Sequence, residues 1–147
     1  MVGDKPGVAD AAAEQYVALL LREMRASPRV TDKRAPLRSV YFGGGTPSLT
    51  PPALLADILA ELHSTQGVEP DAEITLEMDP GTFDADRLAR YIDSGVSRVS
   101  LGVQSFDAEL LKKAGRAHSL EDVEKALGLL ECVLAAVASM GWDLSTS

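Results

Sequence analysis

Apolar residues recur along the chain with two different spacings, one typical of helices and one of strands. They fall three and four positions apart in residues 11–25 and again after Pro52. Short runs of β-forming residues follow these helical stretches at 39–42, 74–76 and 99–101. Helices that alternate with short strands predict an α/β fold, with a parallel sheet covered by helices.

Two helices in the middle of the chain have ends that the sequence predicts. The segment Thr50–Pro52 predicts a helix start with a hydroxyl N-cap and proline at the first helical position. The next helix has Leu88, Ala89 and Ile92 as its predicted apolar side, and it ends before Gly95. Both helices are short enough to connect neighbouring parallel strands.

The last two helices are predicted from their caps. Asp107 can cap a helix over 108–114, which Gly115 closes. Ser119–Asp122 resembles a capping box, with aspartate in place of glutamate, and opens a last helix that is apolar on nearly all sides from Leu127 to Met140. That helix is too short to span a membrane and is expected to be buried.

Composition narrows the class of protein. The 147 residues suit one domain, and 46% of them are hydrophobic, so the chain is expected to be globular. A net charge of -8 argues against binding to nucleic acid or anionic membranes. With a single cysteine and no hydrophobic signal region, we expect a soluble intracellular protein of the cytoplasm or an organelle.

Polar residues are concentrated where the three predicted strands end. The first strand ends in Gly43–Gly45 and Thr46, the second in Glu77–Pro80 and the third in Gly102–Ser105. Ligands of parallel sheets bind at the carboxyl ends of the strands. Three glycines without Cβ atoms would let a ligand approach the backbone, although they could instead serve only tight packing.

The side chains at these strand ends suit a zwitterionic ligand. Glu77 and Gln104 can accept from an ammonium group or from ribose hydroxyls, and Gln104 can also donate. Arg116, just after the Gly115 helix end, can offer a bidentate fork to a carboxylate. Together they fit an amino acid attached to a ribose.

Four ordered motifs carry a family resemblance: Tyr41–Ser48, Glu73–Glu77, Gly102–Phe106 and Gly115–His118. They resemble those of the radical S-adenosylmethionine (SAM) enzymes related to oxygen-independent coproporphyrinogen III oxidase. The Pro-Ser after Gly-Gly-Gly-Thr is more similar to HemW-type heme chaperones than to the oxidase. The resemblance covers roughly residues 14–130.

The resemblance implies part of a (βα)6 barrel that holds SAM against a [4Fe-4S] cluster, in a protein of heme or porphyrin metabolism. Heme or a porphyrinogen is the further partner that it implies for the full-length protein. Family members use the cluster to cleave SAM to methionine and a 5′-deoxyadenosyl radical. The SAM-binding positions that it implies are Gly44, Gly45, Thr46, Glu77, Gln104 and Arg116.

The chain departs from this family in one chemical respect. Family members hold the cluster with a Cys-x3-Cys-x2-Cys motif after the first barrel strand, whereas the only cysteine here is Cys132. We therefore expect no metal ligands, no catalytic residues and no activity of this chain alone. The alternatives are a non-catalytic SAM-binding, nucleotide-binding or interaction module, and a non-functional fragment.

The resemblance to the family also stops after Leu130, where the sequence continues as a helix. We expect an N-terminal helix and loop over 1–37, a partial radical SAM core over 38–131, and a divergent C-terminal helix and tail over 132–147. The strands at 39–42 and 99–101 would then be edges with unpaired backbone groups. Such edges predict self-association.

The remaining candidates have structural interpretations. Cys132, surrounded by leucine and valine, is expected to be a buried small hydrophobe. His63 is expected to be a solvated residue near a helix end. His118 could be functional or could simply precede a helix. Glu77 and Asp79 are not predicted to form an acid/base dyad, because Pro80 ends their strand.

Overall fold

The computed structural model describes residues 8–27 and 35–139, which form one sheet covered by helices. The side chains of residues 10–27, 35–133 and 135 are described. Residues 140–147 of the predicted C-terminal tail lie outside this part. The elements are α1 (Val8–Ala26), β1 (Leu37–Phe42), a 3-10 turn (Pro47–Leu49), α2 (Pro52–Thr65), β2 (Val68–Met78), α3 (Ala85–Asp93), β3 (Arg98–Leu101), α4 (Ala108–Lys113) and α5 (Leu120–Ser139).

The sheet has three parallel strands in the order β1-β2-β3. This confirms the predicted α/β fold. Strand β2 starts earlier than predicted, because its first residues pair irregularly with β1. Leu37 lies opposite Val68 but Ser39 lies opposite Glu73, so a bulge separates the two pairs. Six strand residues, three of them acidic and one a proline, thus precede the apolar run at 74–76 that the sequence predicted.

Strand alternation gives the sheet one apolar and one polar face. Ile74, Leu76 and Met78 of β2 are buried against α2 and α3, together with Leu55, Leu59, Leu88, Tyr91 and Val96. From α5, Leu129, Leu130 and Val133 pack against the same core. The opposite face of the sheet carries Tyr41, Glu73, Thr75, Glu77, Arg98 and Ser100. The core therefore lies against one face of the sheet, and the other face carries polar side chains.

The helix caps are confirmed at α4 and α5. The Asp107 carboxylate accepts from the amides of Glu109 and Leu110 at 2.8 and 3.1 Å. The Asp122 carboxylate accepts from the Ser119 amide at 2.8 Å, while the Ser119 hydroxyl accepts from the Asp122 amide at 3.2 Å. The bonds from the Ser119 amide and hydroxyl lower the pKa of Asp122.

Three predictions about helices are wrong. Thr50 does not cap α2: the N-cap is Pro51, without a side-chain bond, and the Thr50 carbonyl instead accepts from α3. Ala89 is exposed, because α3 turns Leu88 and Tyr91 inward. Cys132 is exposed rather than buried, because Leu129, Leu130 and Val133 form the packed face of α5.

No helix in residues 8–27 and 35–139 is long and apolar enough to cross a membrane.

Candidate functional site

A cavity of about 340 Å³ opens at the carboxyl ends of the three strands. Parallel strands place their carboxyl ends at one edge of the sheet, so residues from three loops converge there. Five of the six residues proposed from the sequence line this cavity, and the sixth, Gly44, binds Glu77 beside it. The lining is formed by Gly45, Thr46, Pro47, Glu77, Met78, Asp79, Ser100, Leu101, Gly102, Gln104 and Arg116.

The glycine turn after β1 is required by its backbone conformation. Gly44 and Gly45 have φ angles of 84° and 62°, a region that side chains rarely adopt. A Cβ atom at either position would meet no heavy atom within 4 Å. Tight packing therefore does not explain these two glycines, and their backbone faces open space at the cavity.

Both oxygens of the Glu77 carboxylate are held by the strand next to it. The Tyr41 hydroxyl donates to Oε1 at 2.6 Å and the Gly44 amide donates to Oε2 at 3.0 Å. These bonds stabilise the ionised carboxylate, so they lower the pKa of Glu77, with Tyr41 as the larger cause. The same contact raises the pKa of Tyr41. Glu77 is thus an ionised acceptor at neutral pH.

Asp79 and Arg116 form an ion pair within the cavity lining. The guanidinium Nη2 donates to the Asp79 carboxylate Oδ1 at 2.9 Å. The Nε of Arg116 is buried and has no hydrogen-bond partner among the described residues. A buried donor without a partner costs free energy, so Nε is suited to an acceptor brought by a ligand.

The loop after β3 leaves room for the Asp79 carboxylate. A Cβ atom on Gly102 would lie 2.6 Å from Asp79 Oδ1 and 3.3 Å from Gln104 Nε2. Gln104 itself has a φ of 64°, which is uncommon for a residue other than glycine. Strained backbone of this kind is found most often at binding sites. The loop therefore holds Gln104 at the cavity at some conformational cost.

The segment after the glycine turn is fixed by polar contacts from β2 and α3. The buried Ser48 hydroxyl accepts from the Asp79 amide at 3.2 Å and lies 2.6 Å from the Thr82 hydroxyl. The Arg87 guanidinium donates to the carbonyls of Ser48, Leu49 and Thr50. These contacts join the loops after β1 and β2, and so fix the cavity wall.

Sequence reasoning missed Tyr41 as a site residue. Its signal was present, because strand alternation places Tyr41 and Gly43 on the face of β1 that carries Glu77 on β2. Asp79 was considered with Glu77 only as an acid/base pair, whereas it pairs with Arg116. The Asp79 carboxylate therefore lies beside the Arg116 guanidinium and forms an ion pair with it.

The two histidines and the cysteine lie away from the cavity lining. His63 is exposed in the last turn of α2, as predicted. His118 is buried, with Nε2 at 3.2 Å from the Val103 carbonyl oxygen. Cys132 borders a different cavity, of about 590 Å³, with Phe83 and Leu129. No group of three or more histidine, cysteine, aspartate or glutamate residues that could hold a metal occurs in the described part of the chain.

Comparison with known proteins places the chain in a family. Residues 12–131 match the Radical SAM superfamily. The heme chaperone HemW of Synechocystis is 44% identical over 113 residues, which are 77% of this chain and 27% of that protein. The oxygen-independent coproporphyrinogen III oxidase of Bradyrhizobium diazoefficiens is 34% identical over 129 residues, which are 88% of this chain and 28% of that protein.

A solved structure supports the same relationship. Coproporphyrinogen III oxidase (HemN) of Escherichia coli, described as a radical SAM enzyme, matches with a TM-score of 0.72 and 25% identity. The match covers 84% of this chain and 28% of that one. The chain belongs to the Radical SAM superfamily and is related to HemW and to coproporphyrinogen oxidase. It spans less than a third of the length of these three proteins.

Proposed function

We propose that this chain binds SAM at the carboxyl ends of its strands, as part of a radical SAM protein of heme or porphyrin metabolism. The observation that carries the proposal is that Glu77 and Arg116 line one cavity. An ionised carboxylate suits the ammonium of the methionine moiety or the ribose hydroxyls, and a guanidinium suits the methionine carboxylate. Both charges of a zwitterion therefore find a partner.

The remaining proposed contacts come from the backbone turn and from Gln104. Gly45 and Thr46 line the cavity. Because Gly45 has no Cβ atom, a nucleoside can approach the backbone groups of this turn. Gly44 acts through its amide, which holds Glu77. Gln104 can donate and accept, and its strained backbone holds it at the cavity.

The described residues do not fit the [4Fe-4S] cluster that the family uses. Such clusters are held by cysteine thiolates. Cys132, the one cysteine of the chain, is exposed on α5 and borders another cavity. We therefore assign SAM binding, and no chemical step, to the residues of this chain.

A tetrapyrrole is the partner that we propose for the whole protein. One relative is named a heme chaperone and another a coproporphyrinogen III oxidase. The contacts proposed above would be made to the amino acid and nucleoside parts of SAM, which both kinds of protein would share. These contacts do not distinguish the two kinds of protein. We therefore propose heme or a porphyrinogen as the class of partner.

Calorimetry with SAM tests the proposed site. Glu77→Gln and Arg116→Gln should each lower the affinity by about tenfold or more, since a hydrogen bond to a charged group is lost. Glu73→Gln is the matched control for Glu77, because Glu73 lies on the same face of β2 but pairs with Arg98 at 3.3 Å. Arg25→Gln, which breaks a pair with Glu61 between α1 and α2, is the control for Arg116.

Both controls should bind SAM as the wild type does. Absence of SAM binding to the wild-type chain would contradict the proposed function. Binding that Glu77→Gln leaves unchanged would contradict the proposed site. Equal losses in Glu73→Gln and Glu77→Gln would show a general effect of charge rather than a contact.

A second candidate is a SAM-binding module without catalysis, which the single cysteine favours. Both candidates require the same cavity, and neither assigns SAM cleavage to the 147 residues themselves. We expect the 147-residue chain, loaded anaerobically with iron and sulfide and then reduced, to form no 5′-deoxyadenosine. A [4Fe-4S] EPR signal together with 5′-deoxyadenosine from this chain would contradict that expectation.

A further inference from the structure

We infer that Tyr41 is a positioning residue for Glu77, whose carboxylate it fixes so that free lone pairs remain for a ligand in the cavity. The identification of this ligand as SAM rests on the proposed function. The contact between Tyr41 and Glu77 does not, since it is present in the protein without a ligand.

The first support is the strand geometry. Tyr41 pairs with Thr75 and Phe42 pairs with Leu76, so the next residue, Gly43, falls beside Glu77. The Tyr41 side chain must therefore extend along its own strand, toward the carboxyl end and position 43, to reach Glu77. Its hydroxyl does so and donates at 2.6 Å.

The second support is the glycine at position 43. A Cβ atom there would lie 2.5 Å from Cε1 and 3.0 Å from Cδ1 of the Tyr41 ring. Contacts that short force a shift of the ring. Gly43 has no positive φ, unlike Gly44 and Gly45, so space explains this glycine: the Tyr41 ring occupies it, and the Glu77 carboxyl carbon would lie 3.3 Å from the added Cβ.

The third support is the exposure of Tyr41, which is 59%. A buried phenol must find a partner, but an exposed one can bond to water instead. Its bond to Glu77 is therefore not a requirement of burial. Packing of the core does not explain why the ring lies along the strand end.

The hydrogen-bond count of Glu77 shows what remains for a ligand. A carboxylate has about four acceptor positions on two oxygens. Tyr41 uses one on Oε1 and Gly44 uses one on Oε2. One position on each oxygen stays open to a donor such as an ammonium or a pair of hydroxyls. A fixed carboxylate loses less conformational entropy when such a donor binds.

Groups on the neighbouring strands and loops lie near this pair, and two of them act on the titration of Tyr41. Arg98 and Ser100 on β3 both lower the pKa of Tyr41, against the larger effect of Glu77. Asp79 and Arg116 line the same cavity as Glu77. The bond from Tyr41 is the larger of the two that lower the pKa of Glu77.

Carbon-13 NMR titration of the glutamate carboxyls, without ligand, tests the inference. The Glu77 resonance is assigned as the one lost in Glu77→Gln. In Tyr41→Phe the pKa of Glu77 should rise toward its ordinary value, because a donor to the charged form is gone. Tyr16→Phe, at another exposed tyrosine on α1, is the matched control and should change nothing.

Two further variants keep the test decisive if Tyr41→Phe folds poorly. Gly43→Ala should also raise the pKa of Glu77, because the added Cβ displaces the ring. Glu77→Gln should lower the pKa of Tyr41 toward its ordinary value, since a neutral amide is a weaker acceptor. An unchanged pKa of Glu77 in Tyr41→Phe or Gly43→Ala would overturn the inference, as would an unchanged pKa of Tyr41 in Glu77→Gln.

The same variants connect the contact to ligand binding. Tyr41→Phe should weaken SAM binding by about two- to tenfold at neutral pH. The loss should widen as pH falls, because Glu77 then protonates at a higher pH in the variant than in the wild type. If the wild-type chain binds no SAM, the proposed function fails, while the pKa of Glu77 still decides the inference. A pH-independent loss would contradict positioning through the charge of Glu77.

Discussion

At the scale of single residues, Tyr91 joins the core to the wall of the cavity. Its ring is buried, which raises the pKa of the phenol and keeps it protonated. The hydroxyl lies 2.6 Å from the Thr50 carbonyl and 2.9 Å from the Ser48 carbonyl, and accepts from Arg87 at 3.0 Å. One phenol of α3 therefore helps Arg87 to satisfy the carbonyls of Ser48 and Thr50, in and just after the 3-10 turn.

We expect Tyr91→Phe to lower the free energy of unfolding by about 0.5 to 1.5 kcal/mol, the net value of a hydrogen bond. The ring still fills the core, and Arg87 still donates to the same carbonyls, so the loss stays small. Urea unfolding measures it, with Tyr16→Phe as the control for the same change on an exposed side chain. Unchanged stability in Tyr91→Phe would show that Arg87 alone satisfies the loop.

Strand order and alternation were enough to predict which residues meet at one cavity. Strand ends indicated Glu77 and Gln104, since parallel strands bring their ends together, and the helix end at Gly115 indicated Arg116. The Tyr41 contact depends on how far a ring leans along a strand, which spacing does not show. The exposure of Cys132 depends on which side of an apolar helix meets the core, and composition does not select that side.

At the scale of elements, local chemistry decided which predictions held. Asp107 and the Ser119–Asp122 pair cap their helices as predicted, because each reaches amides within its own turn. Thr50 was predicted by the same rule, but its carbonyl bonds to α3 and the helix starts after Pro51. Tertiary contacts replaced a local cap there.

The length of β2 shows the same competition between local and tertiary structure. The sequence predicted a strand only at 74–76, whereas β2 extends from Val68 to Met78. Its first half contains charged residues and proline, which have low strand propensity. Pairing of Leu37 with Val68, across a bulge, holds that half in the sheet. Such pairing joins distant segments, so a local pattern does not reveal it.

At the scale of the whole molecule, the two faces of the sheet have different roles. The apolar face packs against helices and forms the core. The polar face carries Glu73, Thr75 and Glu77 on β2, and leads to the cavity at the strand ends. In the described part of the chain, β1 and β3 each pair with β2 alone. Each therefore presents backbone groups on its other side.

These two edges predict that the chain self-associates, because unpaired N–H and C=O groups recruit further strands. Light scattering should show a mass above that of the 15.6 kDa monomer, increasing with concentration. A lysine on an edge strand opposes such pairing, so Ser39→Lys, on the exposed part of β1, should shift the population toward monomer. Ser27→Lys makes the same change of charge at the end of α1 and should leave association unaltered. A wild-type chain that stays monomeric and unfolds cooperatively would contradict the prediction and favour an independent module, since the three strands would then need no further partner.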